Sequence, residues 1–151
     1  MPRIKLQQRP SYEFHYEVTV QPRDINFGGH LGNDALVTLI GEARANLFRS
    51  LGYSESDLGD GATAIIMTDL VVNYRGEGFM FDELRIESHI GEMSHNSFRL
   101  FHRVTKGDEL VALAETGLMA FNYAHRRIAI VPRVFVETVN IRQKEYAETV
   151  V

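Results

Sequence analysis

The chain has 151 residues, of which 44% are hydrophobic and 24% charged, with a formal net charge of −4 and no cysteine. That length is one ordinary domain with enough apolar material for a single core. The acidic balance argues against nucleic acid as a main partner, since phosphate binding needs a basic patch, and the lack of cysteine excludes disulfides, thiolate catalysis and cysteine-ligated zinc. The first residues carry no apolar h-region, and no apolar run reaches the ~18 residues of a membrane span, so the expectation is a soluble, cytoplasmic protein with no membrane partner.

Residues 1–12 are polar with two prolines and are expected as a loose N-terminal arm, leaving 13–151 as one domain. From Glu13 to Val20 the alternation of Phe14, Tyr16, Val18 and Val20 predicts a strand, which Pro22 ends. A glycine-rich turn follows, "RDINFGGHLGN". From Asp34 to Leu51, Ala35, Leu36, Leu39, Ile40, Ala43, Leu47 and Leu51 recur at helical spacing, with Asn33 or Asp34 as N-cap and Gly52 as the stop. The first half of this helix is apolar almost all round, so most of its sides are expected to be covered. Beyond it the chain reads as strands over "ATAIIMTDLVVNYR", "DELRIESHIGEM" and "HNSFRLFHRVTKGDELVALAETGLMAFNY", the last being two strands hinged at Lys106-Gly107-Asp108. Pro132 opens a short terminal helix, "PRVFVETVN". One long helix among largely antiparallel strands makes the fold class α+β.

Glu42 stands out, because a carboxylate on a covered helix needs a partner or a task. Partial burial would suit it to deprotonating a water, and a salt bridge is the plainer alternative. Asn26 can hold the turn through its own backbone or orient a reactant; Asp24 can brace the turn or act as a base. His30 follows two glycines and reads first as a structural hydrogen-bonding residue. Asn33 begins the helix, where unpaired N–H groups favour negative charge. The six histidines show no metal-ligand spacing, so no metal site is expected. His95, Arg99, His102 and Arg103 read as the solvated face of an alternating strand, with phosphate contact as the alternative.

The first strand followed by "RDINFGGHLGNDALVTLIGEAR" resembles the hotdog-fold acyl-CoA thioesterase superfamily, most closely its 4-hydroxybenzoyl-CoA thioesterase branch. The similarity extends over about residues 13 to 135 through Asp82, the "GEMSHNSF" bend and Pro132. Asp24, Gly29, His30, Asn33 and Glu42-Ala43-Arg44 match the family pattern, whereas its second aspartate falls on Asn26 and its first paired asparagine on Gly32. The resemblance implies a sheet wrapped around one central helix and two subunits joined into a continuous sheet, as a homodimer or a dimer of dimers. It implies hydrolysis of an acyl-CoA or acyl-carrier thioester, with no cofactor beyond the coenzyme A of the substrate. The backbone N–H at Asn33 would polarise the thioester carbonyl. With Asn26 in the aspartate's place, the working carboxylate moves to Glu42, Asn26 positions water, Asp24 stands as the alternative base and His30 supports the loop. A non-catalytic acyl-thioester-binding module and a hotdog enoyl-CoA hydratase are the alternatives.

Overall fold

The computed structural model describes residues 1–150. Strand β1 (Phe14–Thr19) leads through a short 3-10 turn (Pro22–Asp24) to helix α1 (Asn33–Ser50). Strands β2 (Ala64–Tyr74), β3 (Glu83–Gly91), β4 (Ser97–Lys106), β5 (Glu109–Asn122) and β6 (Arg127–Ile128) follow, and helix α2 (Arg133–Thr149) ends the order. The sheet runs β1-β3-β4-β5-β2, with β6 paired to β5, and every pairing is antiparallel. Its inner face wraps α1, which is the expected α+β architecture.

Period-two alternation decides which strand residues face the helix. Leu84, Ile86 and Ile90 of β3, Phe98, Leu100 and Val104 of β4, and Ala112, Ala114 and Leu118 of β5 are all buried, as are Leu36, Leu39, Ile40, Ala43, Leu47 and Phe48 of α1. These residues form two clusters. One gathers Val20, Leu36, Leu39, Ile40, Ile86 and Val104 around the start of α1. The other gathers Leu47, Phe48, Phe98, Leu100, Phe135 and Val139 around its end. A polar row divides them: Ser88 falls between Ile86 and Ile90, His102 between Val104 and Leu100, Thr116 between Ala114 and Leu118. Ser88 Oγ lies 2.8 Å from His102 Nδ1. Among the described residues, His102 Nε2 and Thr116 Oγ1 are buried without a partner. Burial, reinforced by the charge of Arg44, pushes the His102 imidazole down to about 3, so it stays neutral at ordinary pH.

Four expectations are corrected. His102 is not on the solvated face of β4 with Arg99 and Arg103 but is buried on the inner face, against Ser88. The N-cap of α1 is Gly32, in extended conformation with no side-chain cap, not Asn33 or Asp34; its carbonyl accepts from Leu36 N at 3.0 Å, and Asn33 is already helical. The terminal helix extends to Thr149 because Gln143, well past the apolar stretch, is tied to the sheet by bonds to Glu13 Oε1 (2.8 Å) and the Ile90 carbonyl (2.7 Å). The arm is not loose. Leu6 and Tyr12 are buried, and both ends of the Asn73 side-chain amide grip it, accepting from Leu6 N at 2.8 Å and donating to the Ile4 carbonyl at 2.9 Å.

Candidate functional site

The polar turn between β1 and α1 is built by its own backbone. Asn26 N donates to the His30 carbonyl and Gly29 N to the Asn26 carbonyl, each at 3.0 Å, closing a tight loop that needs Gly29 at φ 80°, a conformation side chains resist. Asn26 Oδ1 accepts from Gly28 N at 3.0 Å, an asparagine turn that spends its acceptor on the loop and, among the described residues, leaves its amide N–H groups free of protein partners. The exposed ring of Phe27 forms the tip. Leu31 N donates to the Gly78 carbonyl at 2.7 Å, and His30 Nδ1 lies 3.1 Å from Glu77 Oε1, so the turn leans on the loop between β2 and β3.

Asp24 is committed locally. Its carboxylate accepts from Gln21 N at 2.8 Å, and its carbonyl accepts from Gly32 N at 2.9 Å. It braces the approach to the helix. Past Gly32 the first turn of α1 carries no side-chain cap, so its opening N–H groups are unsatisfied donors beside the Asn26–His30 loop. Asn33 is exposed, and its carbonyl accepts from Tyr74 Oη at 3.0 Å, which joins the helix start to the end of β2.

Glu42 sits elsewhere. Nine residues beyond Asn33 at 1.5 Å rise per residue, it lies roughly 13 Å along the axis from the helix start. It is half-buried and accepts from Tyr16 Oη of β1 at 3.3 Å; burial first, then the charge of Glu42 and this bond, raise the Tyr16 phenol above its ordinary value. With about 100° between successive helical residues, Glu42 and Arg44 leave α1 on opposite flanks. Arg44 pairs with Glu55, just ahead of β2. The structure therefore brings Asp24, Asn26, His30 and Asn33 together at the turn and holds Glu42 on the β1 flank, away from the turn of its own protomer.

Four residues at these positions were not read from the sequence as site residues. From the sequence Asp34 reads only as a cap. It stands in the first turn of α1, on the β2 flank, and its charge, after burial, lifts the Tyr74 phenol above its ordinary value. Tyr74 and Glu77 reach the turn from a segment more than 40 residues on, and Tyr16 meets Glu42 across the helix–sheet interface; no local pattern marks any of the three. Two surface hollows, of about 410 and 240 Å³, lie by Glu17, Glu83 and Arg85 and by Thr68, Arg99 and Gly117; neither is lined by a residue of the turn. Among the described residues no three His, Asp or Glu side chains gather as a metal site, and no helix is long and apolar enough to cross a membrane.

An antiparallel sheet wrapped on a single helix, whose bare start opens beside a polar loop, is the hotdog architecture. Residues 20–139 match the family described as the thioesterase-like superfamily. The chain belongs to that family, and its class is thioester hydrolase. No curated protein matches the chain. Among solved structures it is similar to a 1,4-dihydroxy-2-naphthoyl-CoA thioesterase from Synechocystis, with a TM-score of 0.76 and 18% identity over 84% of this chain and 95% of that one. It is also similar to a hypothetical protein from Staphylococcus aureus in complex with CoA (TM-score 0.79, 20% identity, 87% and 84% covered). A gentisyl-coenzyme A thioesterase aligns with TM-score 0.74 and 18% identity over 83% and 98%.

Proposed function

We propose that the protein hydrolyses an acyl-CoA thioester to the free acid and coenzyme A, at a site completed by a second copy of the chain. The observation that carries this reading is the uncapped first turn of α1 beside the Asn26–His30 loop. A thioester carbonyl placed there meets backbone N–H donors and the positive end of the helix dipole, which favour the oxyanion formed when water attacks. Collapse of that intermediate expels the thiolate, and the proton taken from water returns to it, leaving acid and thiol. The free amide N–H groups of Asn26 are suited to holding the water or the carbonyl, while His30 keeps the loop on Glu77.

Strand β2 supports a homodimer. This strand is an 11-residue edge on the side away from β5, with Met67 42% and Tyr74 51% exposed. A long, partly apolar edge of this kind is a template for pairing, and two copies joined there continue one sheet. Since Glu42 is distant from its own turn, its part as general base requires the turn of the other protomer. One observation favours a second assignment of the base: Asp34 is on the β2 flank, at the helix start itself. A cytoplasmic location belongs to the same reading.

The test is thiol release from a panel of acyl-CoA substrates by the wild type, Asp24→Asn and Asp34→Asn. Turnover by the wild type that survives Asp24→Asn supports the reading, and a further loss confined to Asp34→Asn moves the base to that residue. Binding of acyl-CoA without thiol release by the wild type refutes hydrolysis and leaves a binding module; loss of enoyl absorbance instead identifies a hydratase.

A further inference from the structure

The outer face of the sheet, opposite α1, carries a narrow apolar strip among ion pairs, which lie at both margins and, as Arg103 with Glu87 at 2.8 Å, across its middle. At one margin Arg99 is held by Asp69 at 2.8 Å and by Glu115 at 3.3 Å; at the other Arg85 meets Glu17 at 3.2 Å. Between them lie Phe101 and Leu113, both buried although α1 is on the other side. The N-terminal arm covers them. It is anchored on the edge strand β2, where Asn73 grips Ile4 and Leu6. Leu113, the next position inward, is the register partner of both Asn73 and Arg103. On β4, Arg103 donates to Gln8 Oε1 at 2.9 Å and lies over the Tyr12 ring at 4.6 Å, and the Arg9 guanidinium lies 4.4 Å over Phe101. The chain then enters β1 at Phe14. The arm thus crosses the sheet from one edge to the other.

We propose that residues 4–12 are a built-in cover which closes the outer face to a second sheet, so that assembly stops at the dimer. The proposal rests on the dimeric reading above. Uncovered, Phe101 and Leu113 of two copies would meet at the spacing of packed sheets, about 10 Å, and the occupant that prevents it is the chain's own arm. The strip matches the arm in chemistry: the aromatic rings lie under the two arginines, and the one asparagine satisfies the arm's backbone at the edge.

The test compares the full chain with a variant lacking residues 1–11 and with Leu6→Asp, which sets a charge in the covered strip while keeping the arm. Mass is followed by light scattering as concentration rises, and far-UV circular dichroism and thiol release report the fold. The expected result is a full chain that stays at dimer mass and two variants, folded and active, whose mass doubles. If both folded variants keep the mass of the full chain, or if the full chain is already a four-chain species, the cover is refuted. A monomeric full chain would refute the dimer alone, and a doubling confined to the variants would still support the cover.

Discussion

Replacing Glu42 by glutamine keeps the shape of the side chain and removes its charge. Two magnitudes then separate the possible roles. A general base contributes about 10² to 10⁴ in rate, so its loss costs about 2.7–5.5 kcal/mol of transition-state stabilisation. A brace contributes much less: the Tyr16 hydroxyl can still donate to the amide oxygen across its 3.3 Å contact, and exchanging a charged acceptor for a neutral one at a half-buried position costs about 1 kcal/mol. For a chain of this size that corresponds to about 2–4 °C in Tm. Saturating thiol-release kinetics beside a thermal melt therefore distinguish the two. The catalytic reading expects kcat to fall by at least about a hundredfold, with KM little changed. Tyr16→Phe, which leaves the carboxylate but removes its donor, should lower kcat by about tenfold through loss of orientation. Should Glu42→Gln keep kcat within about threefold while Tm moves, Glu42 is a brace, the cross-protomer base is refuted, and Asp34 takes precedence.

Two further outcomes concern stability. A methyl group at Gly117 would overlap Asp69 Oδ1 and lie 2.7 Å from Thr68 Oγ1 and 2.8 Å from Arg99 Nη1, so Gly117→Ala should displace the partly exposed Asp69–Arg99 pair and change the unfolding free energy in urea titrations by less than about 1 kcal/mol. Burial pushes the Glu13 carboxyl up, but bonds from His89, Gln143 and Ile90 N outweigh it and hold the group below its ordinary value of 4.5. The stability this contributes is complete above 4.5 and is lost as pH falls through the lower folded-state value. Melts between about pH 6 and pH 3 should show a steep acid loss that Glu13→Gln flattens; an unchanged slope would contradict the assignment.

The strands and α1 were legible because each repeats a simple period: Leu84, Ile86 and Ile90 alternate, and Leu36, Leu39, Ile40, Ala43 and Leu47 follow the helix. What escaped has its cause far along the chain. The arm looks loose because its residues are polar and proline-bearing, yet the group that fixes it is Asn73, 67 residues from Leu6. The last turns of α2 carry no apolar stripe after Val139, so their anchor, Gln143 on Glu13 across 130 residues, leaves no periodic trace. At the site, the turn and the helix start were readable from Asp24 to Asn33. The flank on which Glu42 emerges was not, because it depends on how α1 is rotated against the sheet, which Tyr16 on one side and Tyr74 on the other reveal. The cap shifted by one residue because Asn33 and Asp34, both good capping types, keep their side chains on the exposed surface.

The polar row of Ser88, His102 and Thr116 has a consequence for motion. An apolar core transmits a disturbance because its side chains interlock, and this one is interrupted halfway along α1 by three polar groups, two of which hold an unpartnered atom among the described residues. If the row uncouples the two halves, amide hydrogens around the Asn26–His30 loop exchange faster than those around the Phe48–Phe98–Phe135 end. Substrate entry at the loop would then leave the aromatic end of the core packed.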